Sequence, residues 1–234
     1  MSTPLVEQRS GTPARAPLLA REGWGHIAIV VLAAVFVTVW LGWLIAAPVW
    51  LAAVFVLQFF RDPRRVLAGG TNTVLCPADG RVIALGPAED PYLNRRAVKV
   101  SIFMNVFNVH SNRLPVGGRV RRRWYSPGRF FNASLDKASL DNERNALWIT
   151  TADGSDIVVV QVAGLIARRI LCYVAEGETV VSGNRYGFIR FGSRVDVYLP
   201  LGSHAEVSLG DKVKAGSQLL ARLQPGALAT AVPR

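Results

Sequence analysis

In Phe188-Ile-Arg-Phe-Gly-Ser-Arg-Val-Asp-Val-Tyr-Leu199, two strand-like runs, 188–191 and 194–199, are parted by Gly192-Ser193. Period-two patterning of this kind is the signature of a strand with one face in a core. A glycine in the middle of it weakens the strand and calls for a reason. Outward from this stretch, residues 81–85, 97–103, 118–125, 146–151, 156–163, 170–174 and 219–223 read the same way, separated by Gly, Pro, Asn and Asp. The one helical candidate beyond residue 60 lies around 133–144. The expected fold is therefore mainly β, a compact β-rich domain.

A weak internal repeat refines this. Gly177-Glu-Thr-Val-Val-Ser-Gly183 and Gly210-Asp-Lys-Val-Lys-Ala-Gly216 share Gly-x-x-Val-x-x-Gly, a turn leading into a strand. It resembles the quasi-symmetric hairpins of lipoyl and biotinyl carrier domains, a barrel-sandwich arrangement. Such carriers need a modifiable Lys on a hairpin tip, and none lies between the two repeats. A carrier-like portion of the fold is expected without the carrier function.

Before the β-rich part, Gly23 to Phe60 is a run of 38 residues without a charge, preceded by a Pro-, Ser- and Arg-bearing stretch, 1–22, expected to be a disordered tail. The run is too long for a signal-peptide core. As one helix it would reach about 57 Å, against about 30 Å of hydrocarbon in a bilayer. Two helices, roughly 27–45 and 49–60, meeting at Ala46-Ala47-Pro48, fit better, because proline cannot continue the first. The second would be short for a crossing. Arg15 and Arg21 precede the run, and Arg61, Arg64 and Arg65 follow it. The positive-inside rule then places both ends in the cytoplasm and makes 23–60 a membrane-associated hairpin. Of the net charge of +11, residues 61–234 carry +10. A basic domain tethered to a bilayer suits anionic membrane lipids rather than nucleic acid.

Cys76 and Cys172 stand apart, without CxxC spacing or a histidine at metal-ligand distance, so neither redox nor metal chemistry is expected. Of the three histidines, His26 falls at the membrane edge and His204 in a Gly-Ser-His loop, while His110 follows an apolar strand in Phe107-Asn-Val-His-Ser-Asn-Arg-Leu-Pro115. Loops after strands are where functional side chains gather, yet an ordinary loop histidine reads identically. Pro77-Ala-Asp79-Gly80 is a good turn sequence in its own right. Gly192-Ser193 is what backbone self-cleavage requires: the hydroxyl must reach the preceding carbonyl, and glycine has no Cβ to obstruct it.

Six phrases in register carry more than any one of them. They are Phe60-Arg-Asp-Pro63, Pro77-Ala-Asp-Gly-Arg-Val82, Val109-His-x-Asn-Arg-x-Pro115, Asn132-Ala-x-Leu-Asp-Lys137 through Asn142-Glu-Arg-Asn145, Gly183-x-Arg-Tyr-Gly-Phe-Ile189, and Arg190-Phe-Gly-Ser-Arg-Val-Asp196. Together they resemble the short prokaryotic form of the phosphatidylserine decarboxylase family, over roughly residues 60–223.

The resemblance implies a proenzyme that cleaves itself between Gly192 and Ser193 into a β chain, 1–192, and an α chain, 193–234, which stay together as a heterodimer. Ser193 becomes a covalent pyruvoyl group. The substrate amine of phosphatidylserine forms a Schiff base with it, CO₂ leaves, and phosphatidylethanolamine results. Asp79 and His110 match the family's acid and histidine, giving Ser193, His110 and Asp79 as catalytic residues, with Arg113 and Arg81 as substrate-binding candidates. Long bacterial members carry His-x-x-His, where this chain has His110 and then Arg113. Arginine cannot act as a base at neutral pH, so either His110 serves both steps or another group helps. The implied location is the cell membrane, with the catalytic domain on its cytoplasmic side. A decarboxylase of a related serine phospholipid, such as archaetidylserine, shares the headgroup chemistry. A non-enzymatic, membrane-tethered lipid-binding barrel would keep an intact chain.

Overall fold

The computed structural model describes residues 18–128, 133, 141–164, 169–190 and 192–224. Residues 1–17 of the expected tail, 1–22, and most of the helical candidate at 133–144 lie outside the described residues; the rest of the tail is structured, with Leu19 bridged to Arg61 and a 3-10 turn from Arg21, and 144 belongs to a strand.

A 3-10 turn, Arg21–Gly23, leads into α1, Trp24–Leu41, and then α2, Trp43–Phe59. The break falls at Gly42, not at the expected Ala46-Ala47-Pro48. Gly42 takes φ +84°, a conformation glycine adopts at no steric cost, whereas Pro48 is accommodated inside α2. The charge-free run is thus divided into helices of 18 and 17 residues. The first, taken as Arg21–Leu41, is long and apolar enough to cross a membrane. Leu32, Phe36, Trp40, Leu44, Leu51 and Val54 are exposed, while only Ala34, Ala46, Ala53 and Phe59 are buried. Helices apolar all round, largely exposed and meeting through small residues, suit a lipid environment. Trp50 donates to the Thr38 hydroxyl at 3.1 Å, and Thr38 donates to the Ala34 carbonyl at 2.7 Å, so these polar groups are satisfied within the pair.

Both ends of the pair are stitched to each other and to the β domain. Ala20 N donates to Phe60 O and Asp62 N to Leu18 O, each at 2.7 Å. A Cβ on Gly23 would meet the Phe60 ring at 2.2 Å, so only glycine allows this approach.

The strands are β1 Thr73–Leu75, β2 Gly80–Asp90, β3 Arg95–Met104, β4 Ser111–Arg113, β5 Gly118–Ser126, β6 Arg144–Thr150, β7 Asp156–Val162, β8 Ile170–Cys172, β9 Thr179–Val180, β10 Arg185–Ile189, β11 Ser193–Leu199, β12 His204–Ala205, β13 Lys212–Val213 and β14 Leu219–Arg222. Eight make one sheet in the order β13-β2-β3-β11-β7-β6-β5-β9, and two three-stranded sheets, β1-β14-β12 and β4-β10-β8, complete the domain. Central strands are covered on both faces. Val159, Ile102, Val195 and Val197 enter the main core, while Val158, Val160, Val162 and Tyr198 pack on the other side. That explains why residues 156–162 read as nearly continuous valine.

The Gly-x-x-Val-x-x-Gly repeat forms the two outer strands of the large sheet, β9 and β13. Its partners repeat as well: Pro77-Ala-Asp-Gly-Arg-Val82 and Pro115-Val-Gly-Gly-Arg-Val120 occupy matching places. Val82 N bonds Asp211 O as Val120 N bonds Glu178 O, each at 2.9 Å. Leu75 N donates to Pro115 O and Arg113 N to Pro77 O, a reciprocal exchange that a local two-fold axis produces. Leu67 lies against both Gly183 and Gly216. The mainly β domain behind an apolar helix pair is as the sequence led us to expect.

Candidate active site

Ser193 opens β11 opposite Met104 of β3. Its side chain is fully buried, and among the described residues its Oγ has no hydrogen-bond partner. Ser101, Ser111 and Tyr186 have buried hydroxyls in the same state, so what sets Ser193 apart is the peptide that precedes it. The residue before it is held unusually. Gly192 has φ +59°, and its carbonyl oxygen would lie 1.6 Å from a Cβ placed on Gly164. Only glycine at 164 permits the carbonyl to sit there. Behind this contact, Asn142 Nδ2 donates to Ala163 O at 2.7 Å and Ala163 N to Glu143 O at 2.9 Å. On the other side, Arg194 is buried against Asp196, Nε to Oδ1 at 2.8 Å, and donates to Ala133 O at 3.0 Å. The scissile-type peptide therefore sits between two hydrogen-bonded supports.

His110 lies just before β4, and its carbonyl accepts from Ile189 N at 3.4 Å. It is a loop residue, yet it is wholly buried. Its ring lies 4.2 Å from Phe59 of α2, centroid to centroid, and 6.2 Å from Phe188. Among the described residues neither ring nitrogen makes a well-formed hydrogen bond, although the Asn108 backbone lies close enough to interact. Burial pushes its pKa down to about 4; the Asn108 backbone opposes this, and the Arg61 guanidinium adds to it. At neutral pH the imidazole is uncharged and able to take a proton.

That burial has a consequence for stability. Between pH 6.5 and 4 the unfolded chain protonates this histidine while the folded one does not. Stability therefore falls as pH drops through this window, by about 3 kcal/mol in all. Denaturant unfolding at pH 7 and pH 4 should show wild type losing about that much more than His110→Leu; equal losses would mean the ring is hydrated.

Asp79 stands in the turn before β2. Its Oδ1 accepts from Ala215 N at 2.8 Å and its Oδ2 from Arg65 Nη2 at 2.7 Å. In the other half of the repeat the matching position is Gly117, where a Cβ would come 3.4 Å from Ser182 N. The carboxylate is thus the feature that makes the two halves unequal. Since Arg81 and Arg194 both pair with Phe103, the start of β2 lies two strand spacings, about 10 Å, from that of β11. Among the described residues, no hydrogen bond joins any two of Ser193, His110 and Asp79.

The two arginines singled out from the sequence have other partners. Arg113 is buried, bonds Asp62 and the Gly183 carbonyl, each at 3.1 Å, and belongs to a charged cluster. In that cluster Arg185 meets Asp62 at 3.4 Å and Glu22 at 2.8 Å, and Tyr173 donates to Glu22. Arg81 donates to Gly210 O at 2.9 Å across the β2–β13 edge. The cluster clamps the base of the helix pair onto β4 and β10. Cys76 is a buried free thiol, pushed up to about 12 by burial with the Asp79 charge adding to it, which makes it no nucleophile.

Sequence reasoning missed Gly164, Phe59, Asp62, Arg65 and Arg185. It also missed a buried amide chain in which Asn145 Nδ2 donates to Gln161 Oε1 and Gln161 Nε2 to Asn112 Oδ1, at 3.1 and 2.8 Å. Asn112 in turn touches the sulfur of Met104, the residue opposite Ser193, so the chain runs behind the site from β6 to β4. Asp62 and Arg185 stood inside phrases already quoted. Gly164 carried no signal, because its need comes from a carbonyl 28 positions away.

Comparison with known proteins adds an independent line. The family model described as phosphatidylserine decarboxylase matches residues 52–221. A protein of Aromatoleum aromaticum named phosphatidylserine decarboxylase proenzyme is 62% identical over 207 residues, covering 88% of this chain and 96% of its own. Proteins of the same name from Nitrosomonas europaea and Burkholderia cenocepacia are 61% and 59% identical, over 88% and 89% of this chain and 95% and 97% of theirs.

Proposed function

The chain belongs to the phosphatidylserine decarboxylase family, and on that premise we propose that it decarboxylates phosphatidylserine to phosphatidylethanolamine on a pyruvoyl group made from its own Ser193. The observation that carries this reading is the Gly192-Ser193 peptide: an orphaned, buried hydroxyl beside a left-handed glycine whose carbonyl is pressed onto Gly164. Those features fit a residue converted in place. The hydroxyl needs no partner in the finished enzyme, and the small Gly164 leaves room at the acyl carbon.

In self-cleavage the Ser193 Oγ attacks the Gly192 carbonyl carbon, and the acyl group moves from nitrogen to oxygen. The Cβ–Oγ bond of the ester then breaks, releasing Gly192 as a carboxylate. The dehydroalanine left behind tautomerises to an imine, and water hydrolyses it with loss of ammonia. His110 is the base for the first proton, a role suited to its neutral, buried ring. Asp79 contributes by holding the turn that begins β2 against Arg65 and Ala215.

In turnover the pyruvoyl carbonyl supplies an electron sink for the substrate amine and the breaking C–C bond. His110 then returns a proton to the substrate carbon. The anionic substrate entering beside it raises its basicity, reversing the effect of burial. Arg113 is held within its cluster, whereas Arg81 and half-buried Arg61 at the foot of α2 bond only backbone carbonyls and keep their charge for the lipid phosphate. The helix pair sits in the membrane with both ends on the cytoplasmic side, as its joined ends and flanking arginines favour. Partners are phosphatidylserine, the surrounding anionic lipids and, after cleavage, the two chains for one another.

Vesicles containing phosphatidylserine labelled at the serine carboxylate test this reading. Labelled CO₂ and phosphatidylethanolamine should appear with purified protein, and borohydride added during turnover should abolish both. No CO₂, or activity indifferent to borohydride, would rule out the pyruvoyl enzyme.

A further inference from the structure

Between β3 and β4 the chain makes a turn whose tip is an aromatic ring. Asn105 N donates to Asn108 Oδ1 and Phe107 N to Asn105 Oδ1, each at 2.9 Å, while Asn108 N donates to Asn105 O at 3.1 Å. Both asparagine side chains fold back onto the turn. Phe107 is left pointing outward, 61% exposed, from a backbone that gives it little freedom to turn away. A lone exposed apolar residue needs no explanation, but this one is not alone. Its ring meets Phe55 of α2 edge to face, with centroids 6.3 Å apart, and Phe55 is itself partly exposed. Arg61 ties the turn to the helix, donating from Nη2 to Phe107 O at 2.8 Å and from Nη1 to Gln58 O at 2.7 Å. Leu18, 66% exposed, is fixed at the same base through the Asp62 amide. The lipid-type surface of the hairpin therefore continues onto the catalytic domain, bordered by an arginine.

We propose that the turn at residues 105–108 is a second membrane contact, with Phe107 entering the boundary between headgroups and acyl chains while Arg61 stays at phosphate level. Aromatic side chains and arginine partition to these two depths. The proposal rests on the reading that the hairpin lies in lipid. It adds that the bilayer surface crosses the β domain three residues from His110, so the headgroup is delivered where protons are transferred. The occupant is a phospholipid surface, chosen over a second copy of the chain because the patch is continuous with the charge-free hairpin and carries a cation at its edge.

The test uses the full chain with Cys172→Ser, a single added cysteine and an environment-sensitive fluorophore, in vesicles of phosphatidylcholine and phosphatidylglycerol. Cysteine is placed in turn at Phe107, at Leu44 in the hairpin, and at Asp153. Asp153 lies in the β6–β7 turn, at the opposite end of the sheet by the register of β11 with β3 and β7. The expected result is blue-shifted emission, quenched by shallow spin-labelled lipid, at positions 107 and 44 but not at 153. Quenching at 44 without quenching at 107 overturns the proposal and leaves the hairpin in lipid. No quenching at either overturns both. A shift at 107 that grows with protein concentration and ignores the lipid quencher assigns the patch to a second copy and also overturns it.

Discussion

Ser193→Ala is expected to accumulate as one uncleaved chain of 25.4 kDa and to release no CO₂ from phosphatidylserine. The effect should be complete rather than partial, since alanine supplies neither the attacking oxygen nor the bond that elimination breaks. What makes the variant informative is that it should fold. The Oγ it removes has no hydrogen-bond partner among the described residues, and the backbone pairing of Ser193 with Met104 is untouched. Deleting a buried, unpaired hydroxyl is neutral or mildly stabilising, within about 1 kcal/mol. Unfolding midpoints should therefore match wild type while processing is lost. An unprocessed protein that had also lost several kcal/mol would point to misfolding instead of missing chemistry.

His110→Ala and His110→Leu should both fail to cleave, and any processed fraction should lose decarboxylation by about 10²–10⁴-fold, the usual cost of a missing general acid or base. Of the pair, leucine is the cleaner variant. The imidazole sits between Phe59 and Phe188 without a well-formed hydrogen bond among the described residues, so an apolar side chain of similar size keeps the packing and removes a desolvated polar group. Alanine opens a cavity there and costs stability as well. Normal cleavage with lost turnover would confine His110 to the second reaction. Near-normal rates for both would remove it from the mechanism and leave the proton transfers to water.

The long strands were legible from the residues because alternation over five or more positions is a strong signal. Each of the nine runs read as a strand overlaps one in the structure, though 188–191 shares only its first two residues with β10 and 191 lies outside the described residues. The pieces of two or three residues at β1, β4 and β12 were not legible, since so short a strand has no period. His110 does fall in the loop just before β4, but its burial had no local signal. The split of the apolar run turned on a competition between Gly42 and Pro48. Proline drew attention because it lacks an amide proton, but a helix can accommodate one, and the chain instead reverses where a positive φ is free.

Pro-x-x-Gly-Arg-Val, at 77–82 and 115–120, was a readable repeat that would have exposed the local two-fold axis. It would also have marked Asp79, opposite Gly117, as the place where symmetry is broken. Pairing of buried charges was beyond reach: that Arg113 answers Asp62 and Arg65 answers Asp79 depends on how the foot of α2 docks, which no local pattern encodes.

Intact mass of the purified wild-type protein tests the central claim most directly. The account predicts two chains, residues 1–192 and 193–234. The smaller should weigh about 4.6 kDa, the 42-residue share of 25.4 kDa, should be lighter by one ammonia than a peptide beginning with free serine, and should resist N-terminal sequencing. A single full-length species in a preparation that decarboxylates phosphatidylserine would contradict it.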